Sequence, residues 1–407
     1  MLVMSIELTR EELRSFIIRC HMLDNFSYDV SKEGIFSVFQ RLGCIQYDPL
    51  NVIGRNVDLV LQSRLRDVKV GSIDKYLYEE RLLIEGWDKE MSIYQMTDWP
   101  YFSRIRTCYQ EGVINSLRYR GQMEALDYTD IVVDEIESRG PLNSNQLKFG
   151  TCNISHWGHR QLSGATMNYL FASGRLGVLK RSGVQRTYEL IENILPFDIL
   201  SKEEPFKNDS EFIEWYFLRR ITSLGVCWSR TGGGWNGYYL SDLKVRKRVL
   251  HEMTEKGLII PIQVSGIQET LYINANDVHF LNSTNEQDGN VRYIAPLDNF
   301  LWDRELVKKI FDFDYSWEVY LPKEKRKYGY YVIPVLYRNH FIARMEPVKQ
   351  DKNKPFTIKN WWWEKHVPIN SDLKEAILES MIRMAEFLQA DGYAEDNLET
   401  IFGCSER

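Results

Sequence analysis

Apolar positions recur at helical spacing along much of this chain, and several of the runs stop on a glycine. After Ser31, residues Ile35, Val38, Phe39 and Leu42 fall on one helical face, and Gly43 ends the segment. Ahead of it, Thr9 followed three residues later by Glu12 is a capping-box signature that opens another helix. The strand-like Cys44-Ile45-Gln46-Tyr47-Asp48 then alternates, with Gln46 and Asp48 on one side, Ile45 and Tyr47 on the other, and Pro49 at its end.

An internal echo sets the larger organisation. Ser182-Gly183-Val184-Gln185-Arg186-Thr187 recurs as Ser265-Gly266-Ile267-Gln268-Glu269-Thr270. Each copy predicts a helix, a glycine stop and a hairpin: 159–173, Gly174, 176–181 and 185–190 in the first, then 241–256, Gly257, 258–264 and 269–273 in the second. A further helical segment precedes each, at 128–139 and 211–224, which completes the winged helix-turn-helix order. The N-terminal segment reads as a third such unit, and a charged, linker-like stretch at 201–209 follows the first echo copy. Beyond about residue 282, strand-like stretches at 317–321, 330–336 and 341–345 predict a β-rich subdomain. A helix over 372–390 closes the chain, with Leu373, Ile377, Met381, Met384 and Leu388 as its packing stripe. The expected class is α+β, tandem winged helix-turn-helix units with a C-terminal β-rich subdomain, divided as 1–125, 126–200, 205–280 and 285–407.

Composition narrows the function classes. At 407 residues, 44% hydrophobic and 27% charged, the chain has material for about two to four packed units and no disordered tract. A net charge of -6 excludes a polyanion binder that uses its whole surface, so any nucleic-acid role rests on local basic clusters. The N-terminus lacks the pattern of a secretory signal, and no stretch reads as a membrane span. The six cysteines, at 20, 44, 108, 152, 227 and 404, have neither zinc nor disulfide spacing. A cytoplasmic protein, nucleoid-associated if bacterial, and monomeric, is expected, with no metal and no cofactor.

Gln46 and Asp48 are the sharpest chemical candidates. An amide and a carboxylate on one side of a strand suit hydrolysis at a sugar carbon, where a carboxylate activates water and steadies an oxocarbenium-like state while the amide holds the water in line. A polar edge strand with a turn at Asp48-Pro49 is the plainer alternative. Just downstream, Arg55 and Arg64 are candidate phosphate contacts, or members of a structural ion pair with Asp58. Basic groups stand where winged helices meet DNA: Lys180 and Arg181 beside a wing turn, Lys244, Arg246, Lys247 and Arg248 on the recognition-type helix, and residues 323–327, including Lys327, beside Tyr328. Solvated charge is the competing reading for each. Gly232-Gly233-Gly234 lacks the setting of a phosphate loop, His156-Trp157-Gly158-His159 lacks an acidic or cysteine partner for a metal, and Trp361-Trp362-Trp363 reads as a strand in a packed subdomain.

Three stretches resemble the AlkZ/YcaQ-like winged-helix DNA glycosylases. Leu42-Gly43-Cys44-Ile45-Gln46-Tyr47-Asp48-Pro49, with Asn51-Val52-Ile53 and Asp58-Leu59-Val60-Leu61, is similar to the family's Gln-x-Asp or Gln-x-Gln catalytic strand. Ala295-Pro296-Leu297-Asp298-Asn299-Phe300-Leu301-Trp302-Asp303-Arg304 resembles its Ser-Pro-Phe-Asp-Asn-Leu-Leu-Trp-Asp-Arg motif. Residues 311–315, 318–320 and 327–336 look like its carboxy-terminal half. The resemblance implies a monofunctional DNA-repair glycosylase that hydrolyses the N-glycosidic bond of alkylated purines, N7-alkylguanine and interstrand crosslinks, in double-stranded DNA. It implies that Asp48 activates water and steadies the sugar cation, with Gln46 positioning water or deoxyribose, and it implies no metal. Two departures stand out: Lys89 in Trp87-Asp88-Lys89-Glu90, where the family has histidine, and Met345-Glu346-Pro347 in place of Ile-Asp-x-Lys. A winged-helix regulator without chemistry, and a factor that shields alkylated DNA or binds a genotoxin without turnover, are the competing functions.

Overall fold

A computed structural model describes residues 5–150, 161–282, 287–351 and 353–403. Helices and sheets are mixed throughout, and the fold is α+β. The chain forms two compact units, residues 1–73 with 209–407, and residues 74–208. This division crosses the expected span of 1–125, because the first 73 residues share their core with the C-terminal half. The cut at 208/209 falls inside the charged stretch at 201–209.

In the first unit, helix Arg10–Cys20 opens with the capping box: Glu12 N–H donates to the Thr9 hydroxyl at 3.2 Å, and Thr9 N–H donates to the Glu12 carboxylate at 2.7 Å. Helices Asp209–Leu224 and Leu243–Glu255 precede hairpin Ile259–Val264/Ile267–Asn274, which widens into a four-stranded sheet. Strand Ile6–Leu8 joins one edge, parallel to Ile262–Val264, and Cys227–Trp228 joins the other. A single apolar core runs from Phe16 and Ile17 through Trp228, Ile262 and Leu271 to Phe300, Phe311 and Phe341, with Phe313 stacked on Phe341 at 4.1 Å.

The β-rich region is an antiparallel meander of Val291–Tyr293, Ile333–Tyr337, His340–Pro347 and Ile358–Trp363, the last carrying the three tryptophans. All five residues of the expected stripe on helix Ser371–Leu388 are buried. Residues 317–321 depart from expectation: Glu318–Tyr320 is a 3-10 turn, not a strand. The buried Glu318 carboxylate accepts from the backbone N–H groups of Lys327, Tyr328 and Gly329, and gathering three donors from one loop needs a turn.

In the second unit, hairpin Leu83–Asp88/Glu90–Gln95 is followed by helices Ser103–Arg120, Thr129–Arg139 and Leu162–Ser173 and by hairpin Leu176–Ser182/Gln185–Leu190. Gly174 ends the last of these helices in the left-handed region, φ +80°, where a β-carbon is strained. Residues 156–159 lie outside the described residues. Among the described residues, no group of His, Cys, Asp and Glu has metal-holding geometry, and no helix is long and apolar enough to cross a membrane.

Candidate active site

Gln46 and Asp48 stand at the end of the short strand Cys44–Gln46. Ser31 caps helix Lys32–Leu42, accepting from Gly34 N–H, and Gly43 turns the chain out at φ +72°. Ile45 and Tyr47 then point into the core, while Gln46 and Asp48 are half-buried on the opposite side. The regular strand stops two residues before Asp48, whose carboxylate accepts from Leu50 N–H at 2.8 Å in the turn around Pro49.

Distant parts of the first unit hold the backbone of this segment. The Asn299 amide lies 3.0 Å from the Leu42 and Cys44 carbonyls and donates to the Ser223 hydroxyl at 2.7 Å. Ser223 in turn donates to the Leu42 carbonyl, and the Arg219 guanidinium donates to the Gly43 carbonyl at 2.6 Å. Asn56 donates to the Gln46 carbonyl at 2.8 Å and accepts from Leu297 N–H. Asp298 anchors the clip through a fully buried two-pronged pair with Arg64, at 2.7 and 2.9 Å. Removing one partner of such a pair costs about 3–5 kcal/mol, so the stretch that looked like a family signature is the clamp that fixes the Gln46–Asp48 strand. Asn56, Ser223, Arg219 and Asn299 went unassigned in the sequence reading. Their signal was the Asp298-Asn299 pair inside a quoted motif, where two short polar residues sit in an apolar run.

Burial pushes the Asp48 carboxyl up from its ordinary value, and the Leu50 N–H pulls it partly back. Its charge is felt by the buried phenol of Tyr331, which is raised first by burial. A carboxylate with a raised pKa that keeps access to solvent is a competent base for water.

The basic candidates separate into two groups. Arg64 is sealed in the interior, also donating to the His21 and Val60 carbonyls. Arg55 is paired with Asp58 at 2.7 Å at the start of helix Asn56–Gln62, Arg181 is paired with buried Glu85, and Arg246 donates to the carbonyls of Ser229 and Leu240 and to Thr231. For these four the guanidinium is engaged by protein groups. Lys180, Lys247, Arg248 and Lys327 are exposed, and the Lys327 ammonium lies 4.9 Å from the centre of the Tyr328 ring. Tyr328 is half-buried, with the Arg344 guanidinium 4.4 Å from its ring centre. Lys89 is 7% exposed at the turn of hairpin Leu83–Asp88/Glu90–Gln95, beside Trp87, which stacks on Tyr109 at 4.5 Å. The triple glycine passes over the backbone of Trp302: a β-carbon at Gly233 would stand 2.4 Å from the Trp302 carbonyl.

Buried amides thus fix the carbonyls of the strand that leads to the half-buried Asp48 carboxylate, and the sequence model of the "DNA glycosylase AlkZ-like" family matches residues 39–387. The chain belongs to the AlkZ-like DNA glycosylase family, and with it to the DNA-binding enzymes of DNA repair. Among solved structures it is similar to the Streptomyces sahachiroi DNA glycosylase AlkZ, with a TM-score of 0.63, 12% identity, and coverage of 95% of this chain and 99% of the other. At that identity the likeness speaks for the fold.

Proposed function

We propose that this chain is a monofunctional glycosylase for alkylated purines in double-stranded DNA, N7-alkylguanine above all and interstrand crosslinks as well. Asp48 takes the proton of a water that adds to C1′ as the C1′–N9 bond breaks. The bonding electrons return to the cationic purine, which leaves neutral. Gln46 holds the water or the deoxyribose. The observation that carries this reading is the half-buried Asp48 carboxylate, raised by burial, beside Gln46 on a strand whose carbonyls are fixed by Asn299, Arg219 and Asn56. The two helix–helix–hairpin segments act as winged helices on the duplex, with Lys180, Lys247, Arg248 and Lys327 as phosphate contacts.

Single-turnover release of 7-methylguanine from a labelled duplex tests it. Asp48→Asn is expected to slow release by about a hundredfold or more, the usual range for a lost acid or base. Gln46→Ala is expected to slow it by about tenfold, the loss of one positioning hydrogen bond to a charged centre. Intact duplex binding without release from this or a crosslinked substrate would leave a DNA-binding regulator in place of the enzyme.

A further inference from the structure

A cavity of about 640 Å³ opens in the first unit between segment 62–69 and the last turns of helix Ser371–Leu388. Neither Gln46 nor Asp48 lines it. Two backbone ties hold the segment in place: Leu65 and Arg66 pair in parallel with Tyr28 and Asp29, and Val70 N–H donates to the Phe387 carbonyl at 3.0 Å. The walls are largely apolar, from Phe26, Leu65, Val68 and Phe387. Among them stands Gln62, the last residue of helix Asn56–Gln62, 7% exposed and with an amide oxygen that has no hydrogen-bond partner among the described residues. Buried polar atoms are seldom left so, and the soft terminal torsion of a glutamine lets either end of the amide turn to the cavity. The Arg383 guanidinium also lines the cavity, 5.7 Å from the centre of the Phe26 ring, and its protein contacts are long, 3.3 Å to the Val291 carbonyl and 3.6 Å to Glu379.

We propose that this cavity binds an adenine-type ring, a flat nitrogen heterocycle with a hydrogen-bond donor beside an acceptor. An amide reads such an edge, and an aromatic ring and a guanidinium stack on such a face. A volume of this size is that of a small-molecule site, and a bicyclic ring covers more of the four apolar walls than a single ring does. On the rim, Arg66 is paired with Asp29, and exposed Lys69 is offset by exposed Asp67 and Glu386, so the ring and not a phosphate sets the affinity. A free nucleoside and an unstacked base of a single strand carry the same edge and face.

Calorimetric titration of the full chain with adenosine, AMP and N6,N6-dimethyladenosine tests this. Adenosine is expected to bind at submillimolar concentration, with AMP within about threefold of it, since exposed charge pairs contribute little. Dimethylation removes the donor that the amide accepts and should cost about tenfold, one net hydrogen bond. Gln62→Leu should cost adenosine the same tenfold and leave the dimethyl compound unaffected, while melting no lower than wild type because it removes an unsatisfied acceptor. Phe26→Leu should weaken both compounds by about tenfold, the scale of one stacked base. Competition of adenosine with a short dA strand, absent with dT, would support the inference with DNA as the source of the ring; adenosine binding without competition would support it with a free nucleoside as the source. No adenosine binding at millimolar concentration, or equal binding of adenosine and its dimethyl derivative by wild type, would overturn it, and neither result needs a variant to fold. Adenosine binding unchanged in a Gln62→Leu protein that melts like wild type would overturn it as well.

Discussion

The two hairpins that follow glycine-stopped helices carry almost the same tip and close it differently. In the first, Ser182 pairs with Gln185, so Gly183 and Val184 make the turn and Val184 is 71% exposed. In the second, the matching residues are Ser265 and Gln268, but the closing pair sits one residue earlier, Val264 with Ile267, and Ile267 is 6% exposed. The neighbours explain the shift. The first hairpin is a two-stranded sheet whose added backbone partner, Leu142, bridges to Tyr188 away from the tip, whereas strand Ile6–Leu8 lies along the second and the Leu8 carbonyl accepts from Ser265 N–H at 3.0 Å. The repeated hexapeptide thus encodes that the chain turns, and a strand more than 250 residues away decides on which residue. A displacement by one residue carries a β-branched side chain from solvent into the core.

The sharpest way to break this contrast is to place a charge at the two equivalent positions. Ile267→Asp buries a carboxylate in the main core and is expected to cost about 3 kcal/mol or more. Val184→Asp should change stability by less than about 0.5 kcal/mol, since the side chain already stands in water. Urea unfolding of the two variants measures both. Equal losses would mean that the second tip is not held by its extra strand.

The same division between local and distant causes explains what was legible in the sequence. Helix ends announced themselves in the residues that make them: Thr9 and Ser31 at N-termini, Gly43 and Gly174 at C-termini. The alternation that set Ile45 and Tyr47 against Gln46 and Asp48 also survives, because it depends only on extended backbone. Residues 317–321 misled because Trp317, Val319 and Leu321 alternate like a strand, while the feature that wins is Glu318 collecting donors nine to eleven residues ahead. The clip around the site was invisible for the same reason: Asn299 and the Leu42 carbonyl are 257 residues apart. The charges of Arg64, Arg181 and Arg246 are a local property legible in the sequence, whereas their protein partners, Asp298, Glu85 and the Ser229 carbonyl, are distant and were not.

Among the basic residues, the second largest effects should split along that line. Arg246→Ala strips donors from two interior carbonyls and is expected to cost about 2 kcal/mol of stability. Arg181→Ala leaves Glu85, 2% exposed, without its guanidinium and should cost a comparable amount. Lys180→Ala and Lys247→Ala should leave unfolding within about 0.5 kcal/mol of wild type. Each should instead lower the slope of log affinity against log salt for duplex DNA by about one. A change of slope in Arg246→Ala at unchanged stability would return that residue to the DNA-contact group.

The smallest effect concerns Asp48, where enclosure and function oppose each other. Burial raises its folded-state pKa above the unfolded value, so folding favours the protonated carboxyl. That contribution is fully present below the unfolded aspartate range, about pH 4, and is lost as pH rises through the higher folded value. At neutral pH the ionised carboxylate therefore lowers stability, and Asp48→Asn, which keeps the shape and carries no charge, should melt slightly higher than wild type while losing activity. Melting curves from pH 3.5 to 8 check the sign: the gap between the two proteins should widen toward neutrality and close in acid. A variant less stable than wild type at pH 8 would mean that the Leu50 N–H bond outweighs burial at this carboxylate, and that Asp48 is held ionised by its turn instead of being strained into a stronger base.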